Sequence, residues 1–122
     1  MIKSILSIAI AFLFSLQIFG QEAANTIKLN YSQEEFKKAK ESLSFTFEVS
    51  SEELGKKMLE NTEKFYNQFF TLKQEGKTLK VKFNNLQDSR IFYRLLKSSE
   101  VNSLFFDRIL MSSEDFLKNN LN

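Results

Sequence analysis

The stretch that decides the predicted fold is Phe70-Thr71-Leu72-Lys73-Gln74-Glu75-Gly76-Lys77-Thr78-Leu79-Lys80-Val81-Lys82-Phe83. Its second half alternates strictly, with Leu79, Val81 and Phe83 on one side and Thr78, Lys80 and Lys82 on the other, as in a half-buried strand. Glu75-Gly76 lies between two β-rich runs, which is a hairpin signal. We therefore predict a hairpin of strands 69–74 and 77–83. The alternative is that the preceding helix continues through Leu72 and that Gly76 caps its end.

A second strand is predicted upstream at residues 43–49, where Leu43, Phe45, Phe47 and Val49 alternate with Ser44, Thr46 and Glu48. Four polar residues at 50–53 (Ser-Ser-Glu-Glu) form a capping box that opens a helix, and residues 32–35 open a shorter helix in the same way. The helix after residue 53 is expected to bury Leu54, Met58, Thr62, Phe65 and Phe69 on one face.

Beyond the hairpin, the pattern predicts a helix over residues 88–98 and a last strand over 104–111. Ser112 to Asp115 then opens a terminal helix. From residue 43 onward the order is βαββαβ, the ferredoxin-like split βαβ arrangement. The predicted fold class is therefore α+β, an antiparallel sheet with helices on one face and short additional helices at both ends. If the hairpin is wrong, a small α/β sheet is favoured instead.

Residues 43–111 resemble the heavy-metal-associated domain family. The resemblance lies in Phe45-Thr46-Phe47-Glu48-Val49, the helix after it, and the stretch from Phe70 to Phe83. It implies the ferredoxin-like fold. The family's metal motif, Met-x-Cys-x-x-Cys, would fall where this chain has Ser50-Ser51-Glu52-Glu53-Leu54-Gly55-Lys56-Lys57. Because no thiolate is present there, soft-metal binding does not carry over.

Composition excludes several classes of chemistry. The chain has 122 residues with no His and no Cys, so the commonest metal ligand, thiolate sites, disulfides and cysteine nucleophiles are all absent. Its net charge of +2 is too balanced for nucleic-acid binding through bulk charge. The acidic pairs that open the helices are explained by capping rather than by acid–base catalysis. We predict no enzyme activity, no catalytic or metal site, no cofactor and no nucleic-acid partner.

The first twenty residues have the form of a secretory signal peptide. Lys3 is followed by an apolar run that ends at Gly20, and the next charge is Glu22. We predict cleavage near Gly20 and export to the periplasm or the exterior. An uncleaved membrane anchor is the rival interpretation, and it is the one way in which the chain would contact a membrane. The predicted domains are the signal (1–20), a leader with a short helix (21–42), and one ferredoxin-like domain (43–122).

Two surfaces are candidates for binding a partner. The uncovered sheet face would carry Thr46, Glu48, Lys73, Lys80 and Lys82, which suit an acidic partner. Three aromatic residues are hard to assign to the core and would anchor a partner if exposed: Phe69, Phe92 and Phe106. The simpler interpretation is that the sheet face is solvated and that terminal helices cover the aromatic rings.

These observations predict an exported, non-catalytic binding or adapter domain that contacts another envelope or extracellular protein. The alternative is a degenerate relative of the metal domain that binds a hard cation or a small molecule.

Overall fold

The computed structural model describes residues 25–121. Its elements in chain order are β1 (Thr26–Leu29), α1 (Gln33–Glu41), β2 (Ser44–Val49), α2 (Glu52–Asn61), a π-helical turn (Thr62–Tyr66), β3 (Phe70–Glu75), β4 (Thr78–Phe83), a 3₁₀ turn (Leu86–Ile91), α3 (Phe92–Ser98), β5 (Ser103–Phe106), β6 (Ile109–Ser112) and α4 (Ser113–Asn120). The signal-peptide prediction for residues 1–20 lies outside the described residues.

The strands form one mixed sheet in the order β3-β4-β2-β1-β5-β6. Neighbouring strands are antiparallel except β1 and β5, which are parallel. The α+β class is therefore confirmed, whereas the predicted βαββαβ sheet is not matched exactly. The difference is two additional strands, with β1 inserted between β2 and β5 and β6 added at the edge.

Strand β1 lies in the segment 21–42, which was predicted to be a leader with a short helix before the domain at 43–122. The alternation from Thr26 to Tyr31 permits a short strand, and β1 occupies an interior position in the sheet. Ile27 and Leu29 are both buried, and β1 pairs with β2 on one side and β5 on the other. Strand β1 is therefore an interior strand of the sheet, with its apolar residues on the face that the helices cover.

The core lies on one face of the sheet. Alternate strand residues such as Phe45, Phe47, Leu79 and Val81 are buried under the helices, while the residues between them are exposed. Phenylalanine dominates this core. The phenylalanines that are almost completely buried are Phe36, Phe45, Phe47, Phe70, Phe83, Phe92, Phe106 and Phe116.

The hairpin of β3 and β4 is confirmed, with its turn at Gly76–Lys77. Gly76 has a φ of +63°, a conformation that favours glycine at the first position of a two-residue hairpin loop. The alternative of a continuous helix to Gly76 is therefore wrong.

The helix starts follow the predicted capping signals with one shift. Ser32 and Glu35 form a full capping box, and the Ser112 hydroxyl accepts from the Asp115 amide. At α2 the cap is Ser51 rather than Ser50, since its hydroxyl accepts from the Leu54 amide at 3.2 Å.

The end of α2 differs from the predicted apolar face. The π-helical turn adds a residue to the helical repeat and thereby rotates the following side chains. Phe65, which was expected to be buried, is 64% exposed. Tyr66 turns inward instead, stacking on Phe70 at 5.9 Å and donating a hydrogen bond to the Arg94 carbonyl at 3.1 Å.

The predicted last strand over residues 104–111 is in fact a hairpin. Its turn is Asp107–Arg108, and both residues have a positive φ, 50° and 66°. Two left-handed residues in succession define the type I′ loop that matches the twist of a hairpin. The sequence analysis missed it because such loops usually contain Asn-Gly.

Candidate functional site

The exposed sheet face carries the predicted polar residues, and the strand register brings them together. Lys73 lies directly opposite Lys80, and Lys80 lies opposite Thr46. Lys82 is two residues from Lys80 on the same face of the same strand. Directly opposite Cβ atoms in an antiparallel pair are about 5 Å apart. Lys73, Lys80 and Lys82 therefore form one cluster, which we call the lysine patch.

The lysine patch contains no paired acid among the described residues. Lys73, Lys80 and Lys82 are all exposed, and none forms an ion pair within 4 Å with a residue in the range 25–121. The cross-strand neighbours of Lys82 are Ser44 and Thr71, which are neutral. Like charges directly opposite each other destabilise a sheet, so the patch concentrates positive charge at a cost to stability.

The predicted acidic member, Glu48, lies in a different row of the same face. It pairs across the strands with Thr78 on one side and Lys28 on the other. Asn30 donates from its side-chain amide to Glu48 Oε1 at 3.4 Å. Glu48 therefore lies beside Lys28 and Asn30, one row away from the Lys73–Lys80 row.

Thr46 is held by a tyrosine rather than left free for a partner. Its backbone amide donates to the Tyr31 hydroxyl at 2.9 Å, and the two side-chain oxygens are 3.3 Å apart. Tyr31 follows the end of β1, and its hydroxyl accepts the Thr46 amide on the side of β2 that faces β1, where the β1–β2 pairing does not reach Thr46. Thr46 therefore has a structural role beside the lysine patch.

The predicted aromatic surface is not present. Phe92 is completely buried and packs edge-on against Phe45 at 5.1 Å and Phe47 at 5.3 Å. Phe106 is also buried, between the rings of Phe36 and Phe116. These two residues belong to the core, because Phe106 on β5 is covered by α1 and α4, and Phe92 at the start of α3 packs onto β2. Phe69 is half-buried against the core.

Other residues of the exposed face were missed by the sequence analysis. Phe105 and Leu110 lie opposite each other on β5 and β6, and Lys28 on β1 is the other neighbour of Phe105. A single cross-strand row therefore runs from Glu75 through Thr78, Glu48 and Lys28 to this apolar pair. Interpreting Asp107-Arg108 as a turn would have revealed the pair, since it fixes which residues of 103–112 share a face.

A cleft of about 380 Å³ lies on the helix side, lined by Lys37, Lys40, Glu41, Leu86, Gln87, Ser89, Arg90 and Leu121. Lys40 donates to the Asn120 carbonyl and lies 5.6 Å from the centre of the Phe36 ring. Burial, and secondarily the charge of Lys37, lowers the pKa of Lys40, while Glu41 acts in the opposite direction. Every buried polar side-chain atom of residues 25–121 has a hydrogen-bond partner, so none is left unsatisfied toward this cleft.

The junction of β2 and α2, where the resemblance would put a metal motif, contains Ser51 as a helix cap. Within residues 25–121, no group of three or more acidic side chains is arranged to hold a metal ion. The helices described in this range are all too short or too polar to cross a bilayer.

Comparison with known proteins gives no match to a family model, a curated protein or a solved structure.

Proposed function

We propose that this protein is an exported, non-catalytic binding domain that attaches to an acidic surface of another envelope or extracellular protein. The lysine patch on the exposed face of β3 and β4 carries this proposal. Three exposed cations lie side by side there, with no acid directly opposite any of them and no ion pair to a residue in the range 25–121, while Glu48 and Glu75 lie in the next row. An acidic partner would supply the missing counter-charge.

The electrostatic balance of the patch favours such a partner. Lys73 and Lys80 repel each other in the free protein, and a carboxylate placed between them would remove that repulsion and form new charge-assisted hydrogen bonds. The neighbours of the patch, Thr71, Thr78 and Ser44, are small, so a partner backbone can approach the sheet closely. Binding of this kind depends on salt and accelerates association more than it increases affinity.

A protein partner fits the patch better than a nucleic acid. Domains that bind single strands on a sheet face stack bases on aromatic side chains. The exposed-face residues of β2, β3 and β4 are Ser44, Thr46, Glu48, Thr71, Lys73, Glu75, Thr78, Lys80 and Lys82, none of them aromatic. The chain's net charge of +2 is also small for a surface that binds phosphates.

The absence of His and Cys from the sequence supports a non-catalytic role. It removes the commonest general base and the strongest side-chain nucleophile. We also propose that β2-α2-β3-β4-α3-β5 is a ferredoxin-like unit into which β1 has been inserted. The element order supports this, since removing β1 and β6 would leave the strand order β3-β4-β2-β5.

The test is site-specific photo-crosslinking in the native cells. A photoreactive residue at Thr71, beside the patch, should give an adduct with a partner, and one at Glu60 on the helix side should not. Changing Lys73, Lys80 and Lys82 together to Glu should weaken the adduct at least about tenfold, since like charges at an interface repel strongly.

The matched control changes Lys37, Lys56 and Lys64 to Glu, which alters net charge equally at exposed positions on the helices. That variant should keep the adduct. Equal adducts at Thr71 and Glu60, or equal loss with both triple variants, would contradict the proposal.

A further inference from the structure

The edge strand β6 has the features of an unprotected pairing edge. It lies at one end of the sheet and pairs with β5 on its inner side. Ser113 donates inward to the Asn102 carbonyl, so the alternation of an antiparallel ladder turns the backbone groups of Leu110 outward. Its sequence, Ile-Leu-Met-Ser, contains no charge and no proline. Ile109 is 60% exposed and Leu110 40% exposed.

The opposite edge of the sheet is different. Strand β3 carries Lys73 and Glu75, and its one fully buried residue, Phe70, is covered by the core. Charged side chains on an edge strand discourage pairing with another chain, and an exposed apolar edge invites it. The two edges of this sheet are therefore not equivalent, and β6 is the one that can accept a further strand.

We propose that β6 pairs antiparallel with β6 of a second copy of this chain, with the two-fold axis at Leu110. Leu110 then lies opposite Leu110 of the second copy, and each Ile109 lies opposite a Met111. The outward N–H and C=O of Leu110 form a reciprocal pair of hydrogen bonds. The two sheets become one continuous twelve-stranded sheet with all helices on the same side.

Self-complementarity identifies a second copy as the occupant. The register sets apolar residues against apolar residues on both faces, and the two Leu110–Phe105 pairs join into one apolar row on the exposed face. On the helix side, the exposure of Ile109 shows that α4 leaves this edge open. An isologous contact requires a surface that matches itself, and a neutral apolar strand fulfils that condition.

Electrostatics also permits two copies to associate at this edge. Strand β4 is four strands away from β6, so the two copies of β4 would be separated by nine strand spacings, about 43 Å at 4.8 Å each. This distance is several times the screening length of about 8 Å at physiological ionic strength. The lysine patches of the two copies therefore do not repel each other appreciably and remain exposed on one common face. A contact of four residues per strand is small, and we expect association in the micromolar range, at the weak end of specific interfaces.

The first test is sedimentation of the protein as its own cells process it, over a range of concentrations. The protein should pass from monomer to dimer, and Leu110→Lys should shift the midpoint at least about tenfold upward because it places like charges at the axis. Phe65→Lys is the control, since Phe65 is an exposed apolar residue on the π-helical turn, away from β6, and it should leave the midpoint unchanged. A protein that stays monomeric, or a Leu110→Lys variant that dimerises normally, would overturn the proposal. If a strand of another protein or another segment of this chain occupied this edge instead, the protein would stay monomeric.

The second test does not depend on a disruptive variant. Because the chain has no cysteine, Leu110→Cys introduces a single thiol that the register places opposite itself. A short bis-maleimide should cross-link this variant into a dimer. Lys73→Cys, on the opposite edge strand, should stay monomeric under the same conditions. Cross-linking of both variants, or of neither, would exclude the proposed pairing.

Discussion

Gly55 allows α2 to approach β3 closely. A Cβ added to it would lie 2.9 Å from Gln74 Cδ and 3.2 Å from Leu79 Cδ1. The Gln74 amide near this point donates to the Glu52 carbonyl at 3.1 Å and to the Gly76 carbonyl at 3.0 Å. The glycine thus makes room for a side chain that ties the start of α2 to the β3–β4 turn.

We expect the cost of Gly55→Ala to depend on Gln74. In the natural sequence the methyl group displaces the Gln74 amide, and the net loss is about 1 kcal/mol despite the better helix propensity of alanine. With Gln74→Ala already present, the same substitution should cost less, because only the contact with Leu79 Cδ1 remains to oppose the helix propensity of alanine. Urea denaturation of the four proteins in this double-mutant cycle measures the difference. Additive effects would show that Gln74 does not constrain Gly55.

Lys40 predicts a pH dependence of stability. Burial lowers the pKa of Lys40 in the folded state. At pH values between this lowered pKa and the ordinary pKa of lysine, the unfolded chain therefore binds more protons than the folded chain. The free energy of unfolding should therefore gain a rising contribution from Lys40 as the pH increases through that window, and Lys40→Met should abolish it. Denaturation between about pH 8 and pH 10 measures the slope.

Lys56→Met is the control for that experiment, because Lys56 is an exposed lysine on α2. It should leave the slope unchanged. Lys37→Met should reduce the slope, since Lys37 adds to the lowering at Lys40. A slope that is the same in the natural protein and in Lys40→Met would contradict the prediction.

At the level of elements, the like-charged pair Lys73–Lys80 between β3 and β4 lowers the stability of the fold but favours binding of an acidic partner. Lys73→Glu would turn the like-charged pair with Lys80 into an oppositely charged one. We expect the free energy of unfolding to rise by about 0.5–1 kcal/mol at low salt, with the gain shrinking as salt is added. The proposed acidic partner should at the same time bind more weakly.

Lys56→Glu provides the comparison for this substitution, because it changes the net charge equally at an exposed position on a helix. Thermal or urea denaturation at two salt concentrations, together with the photo-crosslinking at Thr71, gives both quantities. A Lys73→Glu protein that is less stable than the natural one at low salt would show that the two lysines do not repel each other in the folded state.

Elements with strict alternation or a clear cap could be predicted from the sequence. The β3–β4 hairpin, β2 and the helix starts at Ser32 and Ser112 follow from local patterns and were confirmed. The Asp107–Arg108 turn and the π-helical turn at Thr62–Tyr66 were not predictable in this way. Each interrupts a regular strand or helix pattern by one or two residues. Neither contains the glycine or proline that usually indicates such an interruption in a sequence.

At the level of the molecule, a cluster of aromatic rings joins the helices to the sheet within residues 25–121. Phe36 on α1 lies 5.0 Å from Phe45, 5.3 Å from Phe106 and 5.4 Å from Phe116, measured between ring centres. It therefore joins β2, β5 and α4 to a helix that the sequence analysis placed outside the domain. Its removal should affect every layer of the fold.

We expect Phe36→Ala to lower the free energy of unfolding by about 3–5 kcal/mol, because removing the buried ring leaves a cavity that the neighbouring side chains cannot fill. The total stability of a domain is about 5–15 kcal/mol, so the variant should be close to unfolding. Phe65→Ala, at an exposed position, should stay within about 0.5 kcal/mol of the natural protein. Urea denaturation monitored by circular dichroism compares them. Equal stability of the two variants would contradict the packing described for α1.

The sequence could not predict the order of the strands in the sheet or the burial of Phe92 and Phe106. Four residues of alternation at Thr26–Leu29 indicate a strand but not its neighbours, which are set by contacts with residues up to 106. The lysine patch followed from local register alone. The burial of Phe92 and Phe106 depends instead on how the helices pack on the sheet, and that is a property of the assembled layers.

The central position of β1 has a consequence for the order in which the chain can fold. All four residues of β1 pair with β5, which ends at Phe106, almost eighty residues later in the chain. Contacts between distant segments slow folding, because a long loop must close before they are gained. A nascent chain that emerges N-terminus first therefore lacks one neighbour of β1 until Phe106 has been synthesised.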